Sequence, residues 1–522
     1  MARRAVLLLV AIASLVVPAS AAWAQAPPPT MTDPRLGVRT VTTGLSVPTS
    51  LAFLGPNDML VLEKATGRVQ HVVNGQVVGT ALDLAVNSAS ERGLLSIALH
   101  PDFADNHWVY LRWTCRAPGP GPDAFTPPQR NCDDNAMLGP DTNVTLAVPL
   151  LGNVIDRFVW DPATQTLRFD KHIIALRAFQ ADGAPDPPGQ NDSTQNAAGN
   201  HNGGPIRFGR DGKLYTIMGD NGRRGLLQNL PCGPTATECP GDFLHRDTVT
   251  PDDQFGGPEP DDAHTTGVIL RLNDDGSAPP SNPFFGVATA LGGEAGANLK
   301  KVFAFGIRNS FGLAIDPVSG DVWEQENGDD TFDELNRMTS GTDGGWVQIA
   351  GPASRVPQFR DMETTFGART LQQLRWPPTN IAETSDEALD RVNSTLAPAR
   401  YSDPEFSWKW AVPPGGIGFE NGNGLGPEFA GNLFVGGATA STVGGHLFRF
   451  QLNQQRTGFA FQGPRLDDDV ADNVAKNDLT ESESLLVGRD FGIVTDIETA
   501  PNGNLYVVSN SKGAVYEVFR AS

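Results

Sequence analysis

The sequence has 522 residues, and its 39% hydrophobic content is enough for a sizeable core. Glycine and proline are abundant, at 57 and 41 residues, while helical heptads are scarce, so the composition favours short strands joined by turns and predicts an all-β protein. The formal net charge is −21, and the sequence shows no basic stripe. Because nucleic-acid binding requires a basic face, we expect no nucleic-acid partner.

The N-terminal residues have the three-part pattern of a secretory signal peptide. Arg3 and Arg4 precede an apolar run from Ala5 to Val17, and Ala22 and Ala24 supply small residues for cleavage. The apolar run is shorter than the roughly 20 residues that a membrane span needs. We therefore expect a signal peptide at 1–24, a short linker at 25–35, a periplasmic or secreted protein, and no membrane span after cleavage.

A unit of apolar strand, short turn and second apolar strand recurs six times. The copies begin at Leu51, Leu94, Ile206, Leu313, Pro427 and Ile497. One such hairpin cannot bury both of its faces, but small antiparallel sheets packed radially around an axis cover one another. The sequence therefore predicts a single six-bladed β-propeller domain over 36–522, in which a strand at Leu36–Thr43 completes the last blade.

Long segments rich in proline, glycine and aspartate separate some of the repeats. They span about residues 115–153, 222–266 and 351–426. Such segments predict long loop insertions on one face, around the mouth of the central channel.

The four cysteines form two local pairs within these segments. Export favours the disulfides Cys115–Cys132 and Cys232–Cys239. A zinc site is the alternative, but the sequence has no CxxC spacing.

The segment from Asn200 to Asp220, NHNGGPIRFGRDGKLYTIMGD, places a histidine before a hairpin. An Asp-Gly pair between two apolar runs predicts a tight primed turn, so His201 lies near the end of a rigid sheet. An imidazole titrates near neutrality, which makes His201 a candidate general base or metal ligand. The alternative is a structural histidine that caps a turn by hydrogen bonds.

Several motifs in order resemble the soluble glucose/sorbosone dehydrogenase family. They are ERGLLSIALHPDF from Glu91, NHNGGPIRFGRDGKLY from Asn200, GVILRLNDDGSAPPSNPF from Gly267, FGIRNSFGLAIDP from Phe305 and ENGDDTFDELN from Glu326. Members of this family are six-bladed propellers that use pyrroloquinoline quinone (PQQ) and calcium. The resemblance implies a small sugar-like substrate, a hydride passed to PQQ, and an onward redox acceptor that the sequence does not identify.

The resemblance also implies roles for individual residues. His201 matches the general base, and Arg308 matches a residue that neutralises a quinone oxygen as it gains charge. The implied cofactor contacts are Glu91, Asn200, Arg308 and Asn309, and the implied sugar-binding rim comprises Asp220, Leu226 and Asn327. The backbone carbonyls of Gly328 and Asp329 are the implied ligands of a calcium ion that touches PQQ, and the side chains of Asp333 and Glu334 are the implied ligands of a second, structural calcium. Without the resemblance, Arg308 could form a salt bridge between blades and the acidic loop could be a solvated turn.

One feature of glucose-oxidising relatives is missing. Their lysine and two arginines that grip the PQQ carboxylates correspond here to Val443, Ile493 and Thr495. A buried carboxylate without a partner is unfavourable, so another cation must replace them if PQQ binds. The candidate substitutes are Lys64, Arg449, Lys409 and Arg489.

Three functions therefore stay open. The motifs around His201 favour a PQQ-dependent dehydrogenase of aldose-type sugars. The missing cations favour a calcium-stabilised propeller that has lost PQQ and binds a carbohydrate or a protein. A hydrolase that uses calcium as electrophile and water as nucleophile is the third possibility.

Overall fold

The structure, a computed structural model, describes residues 27–116, 152–178, 201–221, 265–367, 378–393, 396 and 398–521. The predictions that fall outside these ranges concern the signal peptide at 1–24, Asn200, Leu226, Cys132, Cys232 and Cys239. Most of the segments 115–153 and 222–266 also lie outside them. All of these stay predictions, including both disulfide pairings.

β-Strands are the main regular secondary structure of the described residues. The strands before residue 310 are β1 (Thr30–Met31), β2 (Leu36–Thr43), β3 (Pro48–Gly55), β4 (Asp58–Glu63), β5 (Arg68–Val73), β6 (Gln76–Asp83), β7 (Leu94–Leu99), β8 (Trp108–Thr114), β9 (Asn153–Asp161), β10 (Thr166–Leu176), β11 (Ile206–Phe208), β12 (Leu214–Met218), β13 (Val268–Leu272) and β14 (Val302–Phe305). The later strands are β15 (Gly312–Ile315), β16 (Val322–Glu326), β17 (Thr331–Met338), β18 (Thr342–Asp343), β19 (Arg400–Tyr401), β20 (Phe406–Trp410), β21 (Pro414–Phe419), β22 (Leu433–Gly437), β23 (His446–Phe450), β24 (Val470–Ala471), β25 (Leu486–Arg489), β26 (Val494–Thr499), β27 (Leu505–Ser509) and β28 (Ala514–Arg520).

Short helices connect some strands. The α-helices in the described ranges are α1 (Phe103–Asn106), α2 (Phe285–Leu291), α3 (Gly293–Leu299), α4 (Val356–Phe366) and α5 (Ser385–Asn393). Single 3₁₀ turns lie at Ala353–Arg355, Pro378–Asn380, Pro464–Leu466 and Glu483–Leu485. No helix in these ranges is long and apolar enough to cross a membrane.

The described strands form six sheets. The first three consist of β3 to β6, β7 to β10 and β11 to β14. The next two consist of β15, β16, β17 and β20, and of β21, β22, β23 and β25, and the last combines β26, β27 and β28 with β2. Short additional strands extend three sheets at the end opposite their first strand: β18 and β19 the third, β24 the fourth and β1 the fifth.

The N-terminal strand pairs with the C-terminal part of the chain, as predicted. In β2, Leu36 lies opposite Arg520 and Thr43 opposite Ala514 of β28. Part of the predicted linker is also ordered, because Thr30 in β1 pairs with Arg489 of β25. The described chain is therefore tied together by strands from its two ends.

The first strands of the six sheets contact one another in a closed ring. Strand β3 contacts β7, β7 contacts β11, β11 contacts β15, β15 contacts β21, β21 contacts β26, and β26 contacts β3. Sheets arranged radially in this way enclose an axial channel. The described residues thus adopt an all-β, propeller-like fold.

Apolar side chains fill the space between neighbouring sheets. Leu60 and Val69 of the first sheet, for example, share a buried cluster with Val109, Trp113 and Phe158 of the second. Burying one such side chain contributes about 1.5–3 kcal/mol. These clusters hold the sheets at fixed positions around the channel, which in turn positions the site.

The hairpin after His201 is present, but its turn differs from the predicted primed turn. The amide of Gly209 donates to the carbonyl of Lys213 at 2.9 Å, and Gly212 donates to Gly209 at 2.9 Å. Gly212 has φ of +70°. This is a three-residue loop with glycine in the left-handed position, the next most common way to close a hairpin.

The prediction of a loop insertion over 351–426 is wrong for much of the segment, which contains α4, α5, β20 and β21. Helix α4 buries Val356, Phe359 and Met362 at helical spacing, and this amphipathic pattern outweighs the proline and glycine content. The fifth repeat is also shifted. Its first strand is β21, whereas the residues from Pro427 form a turn.

Candidate active site

His201 and Asp220 form a buried hydrogen-bonded pair. Nδ1 of His201 lies 2.5 Å from Oδ1 of Asp220, and the two residues are 3% and 0% exposed. Because an ionised carboxylate only accepts hydrogen bonds, Nδ1 carries the proton of the neutral imidazole and Nε2 keeps its lone pair. The indole nitrogen of Trp346 donates to Oδ2 of Asp220 at 2.9 Å. The carboxylate is therefore fixed on both of its oxygens.

The backbone brings His201 next to Arg308. A Cβ atom on Gly219 would lie 2.6 Å from the carbonyl oxygen of each of these residues, so only glycine allows this approach. The amide of Asp220 donates to the carbonyl of Arg308 at 2.8 Å. His201 itself has φ of +51°, a strained conformation that persists only where the surroundings impose it and that is common at functional sites.

Asn202 connects the His201 segment to the second sheet. Arg112 donates from Nη2 to the Asn202 carbonyl at 2.6 Å, and Asn153 donates from Nδ2 to Oδ1 of Asn202 at 2.6 Å. The amide of Asn202 donates to Oε2 of Glu91 at 3.2 Å. Arg112 is fully buried, and this burial lowers its pKa to about 9. The network fixes the main chain beside His201.

Arg308 holds the loop that follows β16. Its Nη1 donates to the carbonyl oxygens of Asn327 and Gly328, each at 2.8 Å, and its Nη2 donates to Oδ1 of Asp329 at 3.0 Å. Burial alone would lower the pKa of Arg308, but nearby carboxylates, foremost those of Asp329 and Asp220, raise it above its ordinary value. Arg308 therefore remains a cation beside the histidine pair.

Two buried polar atoms next to this loop have no hydrogen-bond partner among the described residues. They are Nε of Arg308 and Oδ1 of Asn309. Buried polar atoms are normally satisfied by protein, water or a bound ligand. These atoms belong to the two adjacent residues for which the sequence predicts cofactor contacts.

The side chains predicted to bind calcium are engaged with the protein. The carboxylate of Asp333 accepts from the amides of Gly328 at 2.8 Å and Val412 at 2.6 Å, and Glu334 accepts from Nδ2 of Asn336 at 3.0 Å. Asp333 and Glu334 are successive residues of β17, so they point to opposite faces of the sheet. Within the described ranges, no group of three histidine, cysteine, aspartate or glutamate residues is placed to hold a metal ion.

Several glutamates are buried together on β16 and β17. Glu326 lies opposite Glu334 in the strand register, and Glu324 lies two pairs further along, opposite Asn336. Burial raises the pKa of Glu324 to about 8, that of Glu334 to about 7 and that of Glu326 well above its ordinary value.

A cavity of about 390 Å³ occupies the centre of the ring. Its wall includes a residue from the first strand of every sheet: Thr49, Leu95, Arg207, Leu313, Ile417 and Thr495. Of the predicted site residues, Glu91 and Asn327 line the cavity. His201 and Arg308 are buried and do not line the cavity themselves, but each is next to a residue that does. His201 is two positions before the wall residue Gly203, and Arg308 donates to the carbonyl of the wall residue Asn327.

The cavity wall carries few charges. Arg207 is neutralised by Asp496, with Nη2 2.5 Å from Oδ1, and by Glu498 at 2.9 Å. Burial raises the pKa of Glu91. Lys64 also lines the cavity and has no carboxylate within ion-pair distance among the described residues.

The residues at the positions of the relatives' PQQ-binding cations, and the cations that could replace them, lie in different parts of the structure. Ile493 and Thr495 line the cavity, whereas Val443 is 40% exposed. Of the candidate substitutes, Lys64 lines the cavity, but Lys409, Arg449 and Arg489 do not. Lys409 pairs with Asp472 at 3.1 Å, Arg449 bonds to Asn432 at 2.9 Å, and Arg489 lies at the exposed end of β25.

The sequence did not predict that Trp346, Arg112 and Arg207 belong to the site. An arginine within the apolar run of β8 was a usable signal for Arg112, because an arginine there must find buried acceptors. Trp346 gave no signal, since its contact with Asp220 joins residues that are 126 positions apart.

A closed ring of sheets, an axial cavity and a buried His–Asp pair define this chain as a propeller-like protein with an axial cavity. Comparison with known proteins adds a family to this fold class. The model of the family "Glucose / Sorbosone dehydrogenase" matches residues 45–126 and 248–365.

Individual relatives are similar at low identity. The quinoprotein glucose dehydrogenase B of Acinetobacter calcoaceticus is 26% identical over 318 residues, which are 60% of this chain and 52% of that protein. The aldose sugar dehydrogenase YliI of Escherichia coli is 22% identical over 477 residues, or 91% of this chain and 90% of that protein. The PQQ-bound aldose sugar dehydrogenase of Streptomyces coelicolor superposes with a TM-score of 0.51 at 21% identity, covering 93% of this chain and 98% of that one. The predicted resemblance to the glucose/sorbosone dehydrogenase family is confirmed.

Proposed function

We propose that this protein is an oxidoreductase that oxidises an aldose-type sugar, or a related hydroxyl or aldehyde compound, with PQQ as cofactor and His201 as general base. The observation that carries the proposal is the buried His201–Asp220 pair beside the axial cavity. The family match and the names of the sugar dehydrogenases similar to this chain support it.

His201 has the geometry of a base. Asp220 holds the proton on Nδ1, so Nε2 can accept a proton from a substrate hydroxyl, and the carboxylate stabilises the imidazolium that forms. Trp346 donates to that carboxylate, and the backbone amide of Asp220 donates to the carbonyl of Arg308, which fixes the main chain of Asp220. A positioned base of this kind contributes about 10²–10⁴-fold to a rate.

The residues around the cavity fit a flat polar cofactor. Leu95, Phe311 and Ile417 supply apolar wall. Arg308 and Asn309 do not line the cavity, but each carries a buried polar atom without a partner among the described residues, and Arg308 bonds to the wall residue Asn327. When bound, PQQ would supply the two-electron oxidant. Arg308, kept cationic by its carboxylate neighbours, would favour negative charge on an adjacent oxygen.

Calcium fits less well. The carbonyl of Gly328 is engaged by Arg308, and the carboxylate of Asp333 is engaged by two backbone amides. We keep calcium as part of the proposal because the family implies it, but we derive no step from it.

The same proposal covers architecture and location. We propose that the six sheets are the blades of a six-bladed propeller, supported by the closed ring of first strands. We also propose that the protein is periplasmic or secreted, on the signal-peptide pattern of residues 1–24.

The test is to mix the mature protein with PQQ and calcium, and then to add aldoses and a redox dye. We expect dye reduction with at least one aldose and an increase in melting temperature on adding PQQ, because a ligand that binds the native state stabilises it. If PQQ at saturating concentration produced neither effect, the proposal would be overturned.

The placement of Ile493 and Thr495 at the cavity wall, in place of cations, favours a second candidate. This is a propeller of the same lineage that has lost PQQ and binds a carbohydrate or a protein. Stabilisation by a sugar without stabilisation by PQQ would favour it.

A further inference from the structure

The cavity wall contains a lysine, Lys64, that forms no ion pair among the described residues. Nζ of Lys64 donates to the carbonyl oxygens of Ser88 at 3.1 Å and Ser90 at 2.8 Å. An ammonium group has three N–H donors, so one of them is left for another acceptor. Arg207, the other cation of the described wall, is already paired with Asp496 and Glu498.

The surrounding backbone holds Lys64 in position. A Cβ atom on Gly93 would lie 2.7 Å from Cγ of Lys64 and 2.5 Å from its carbonyl oxygen, so the lysine stem packs directly on a glycine. Ser90 has φ of +53°, which is unusual for a residue other than glycine, and its carbonyl accepts from Lys64. The amide of Leu94 also donates to the Lys64 carbonyl at 3.1 Å. A normally mobile side chain is thus directed to one place in the cavity wall.

The electrostatic setting favours an anion at this place. Burial lowers the pKa of Lys64 to about 8, although the nearby Glu91 opposes that effect. The amine is therefore still mostly protonated at neutral pH. A partly buried ammonium is stabilised by an anionic partner, whereas the described hydrogen-bond acceptors of Lys64 are the two neutral carbonyl oxygens of Ser88 and Ser90.

We propose that Lys64 binds a carboxylate group of the cofactor in the channel. This inference rests on the proposed function, since it assigns the carboxylate to PQQ. Lys64 directly follows β4 of the first sheet. It would replace the three cations of glucose-oxidising relatives that correspond here to Val443, Ile493 and Thr495. A carboxylate could also come from an acidic sugar, and the experiment distinguishes the two sources.

The experiment measures ligand binding by calorimetry, without sugar or dye. PQQ is titrated into the wild-type protein, Lys64→Met, Lys64→Arg and the control Lys213→Met. Lys213 donates to Asn273 at 2.7 Å and does not line the cavity. Its replacement changes the net charge of the protein by the same amount as Lys64→Met but leaves the cavity wall unchanged. We expect Lys64→Met to weaken PQQ binding about 10- to 100-fold, Lys64→Arg to retain most of the affinity, and Lys213→Met to behave as wild type.

A second arm titrates the same proteins with D-glucuronate and D-glucose. Weaker glucuronate binding in Lys64→Met, with unchanged PQQ binding, would assign the carboxylate to the substrate and overturn the proposal. Unchanged PQQ binding in Lys64→Met would overturn it while leaving the proposed function intact. A wild-type protein that does not bind PQQ would overturn both.

A measurement on the wild-type protein needs no variant to fold. The charged groups that act on Lys64 are Glu91 and Arg92. The other charged groups of the described cavity wall are Arg207 and Asp496. Affinity for PQQ should fall as the pH rises through about 8, where Lys64 loses its charge. An affinity that does not change over that range contradicts the proposal.

Discussion

Nδ1 of His201 lies 2.5 Å from Oδ1 of Asp220, in a setting where neither side chain is more than slightly exposed. A second pair of the same kind occurs between His172 and Asp156, at 2.6 Å, and Trp113 donates to Asp156 at 3.0 Å just as Trp346 donates to Asp220. The second pair joins strands of the second sheet and does not line the cavity. The His172–Asp156 pair is therefore a control within the same protein, because it has the same hydrogen bonds but lies away from the cavity.

Asp220→Asn is expected to lower kcat by about 10²–10⁴-fold, because an amide can donate to Nδ1 and so favour the wrong tautomer of His201. PQQ affinity should change little. The measurement is steady-state dye reduction, with PQQ titrated separately. Asp156→Asn is the matched control and should leave kcat near the wild-type value. Equal losses in the two variants would contradict a catalytic role for the first pair.

Trp346→Phe removes the donor to Oδ2 of Asp220 but keeps an aromatic ring next to Arg308. A hydrogen bond to a charged group is worth about 1.5–3 kcal/mol, so we expect kcat to fall roughly 10-fold or more. Trp113→Phe, which removes the corresponding donor to Asp156, should leave kcat unchanged. The idea fails if Trp346→Phe has full activity at saturating sugar.

Arg308→Met should lower the free energy of unfolding by about 3–5 kcal/mol, because it leaves buried acceptors and Asp329 without their cation. Denaturant unfolding measures this effect. The control Arg337→Met removes a more exposed ion pair with Asp321, at 2.7 Å, and should cost at most about 1 kcal/mol. Similar losses in both variants would show that Arg308 is no more than a peripheral ion pair.

The melting temperature should fall as the pH rises from about 5 to about 8. Burial raises the pKa of Asp343 to about 7 and that of Glu405 to about 8, so the folded protein binds more protons than the unfolded chain between the ordinary and the raised values. Stability from these groups is present at low pH and is lost as each ionises. Asp343→Asn, which mimics the protonated acid, should flatten part of the profile. A melting temperature that rises steadily over this range would contradict the assignment.

Much of the fold could be predicted from sequence because strands have a short-range signal. Alternating apolar residues and turn residues located β3, β4, β11 and β12, and the strand at Leu36–Thr43 was found with its partner sheet. The segment 351–426 was harder, because its proline and glycine content concealed the helical spacing of Val356, Phe359 and Met362.

The site was only partly predictable, for a different physical reason. Motifs identified His201, Asp220 and Arg308, which the structure brings together through Gly219. The partner Trp346 and the supporting Arg112 depend on contacts between distant segments, which no local pattern records. Of the four candidate cations, only the fold could separate Lys64 from Lys409, Arg449 and Arg489, because lining a channel depends on the ring of sheets.

The most direct test of the account is a single turnover of the PQQ-loaded protein, mixed anaerobically with an aldose while the quinone absorbance is followed. Wild-type protein should reduce its quinone, and His201→Asn should bind PQQ with similar affinity but react at least about 10²-fold more slowly. His172→Asn should react as wild type. Reduction by His201→Asn at the wild-type rate would contradict the central claim that His201 is the base of a sugar dehydrogenase.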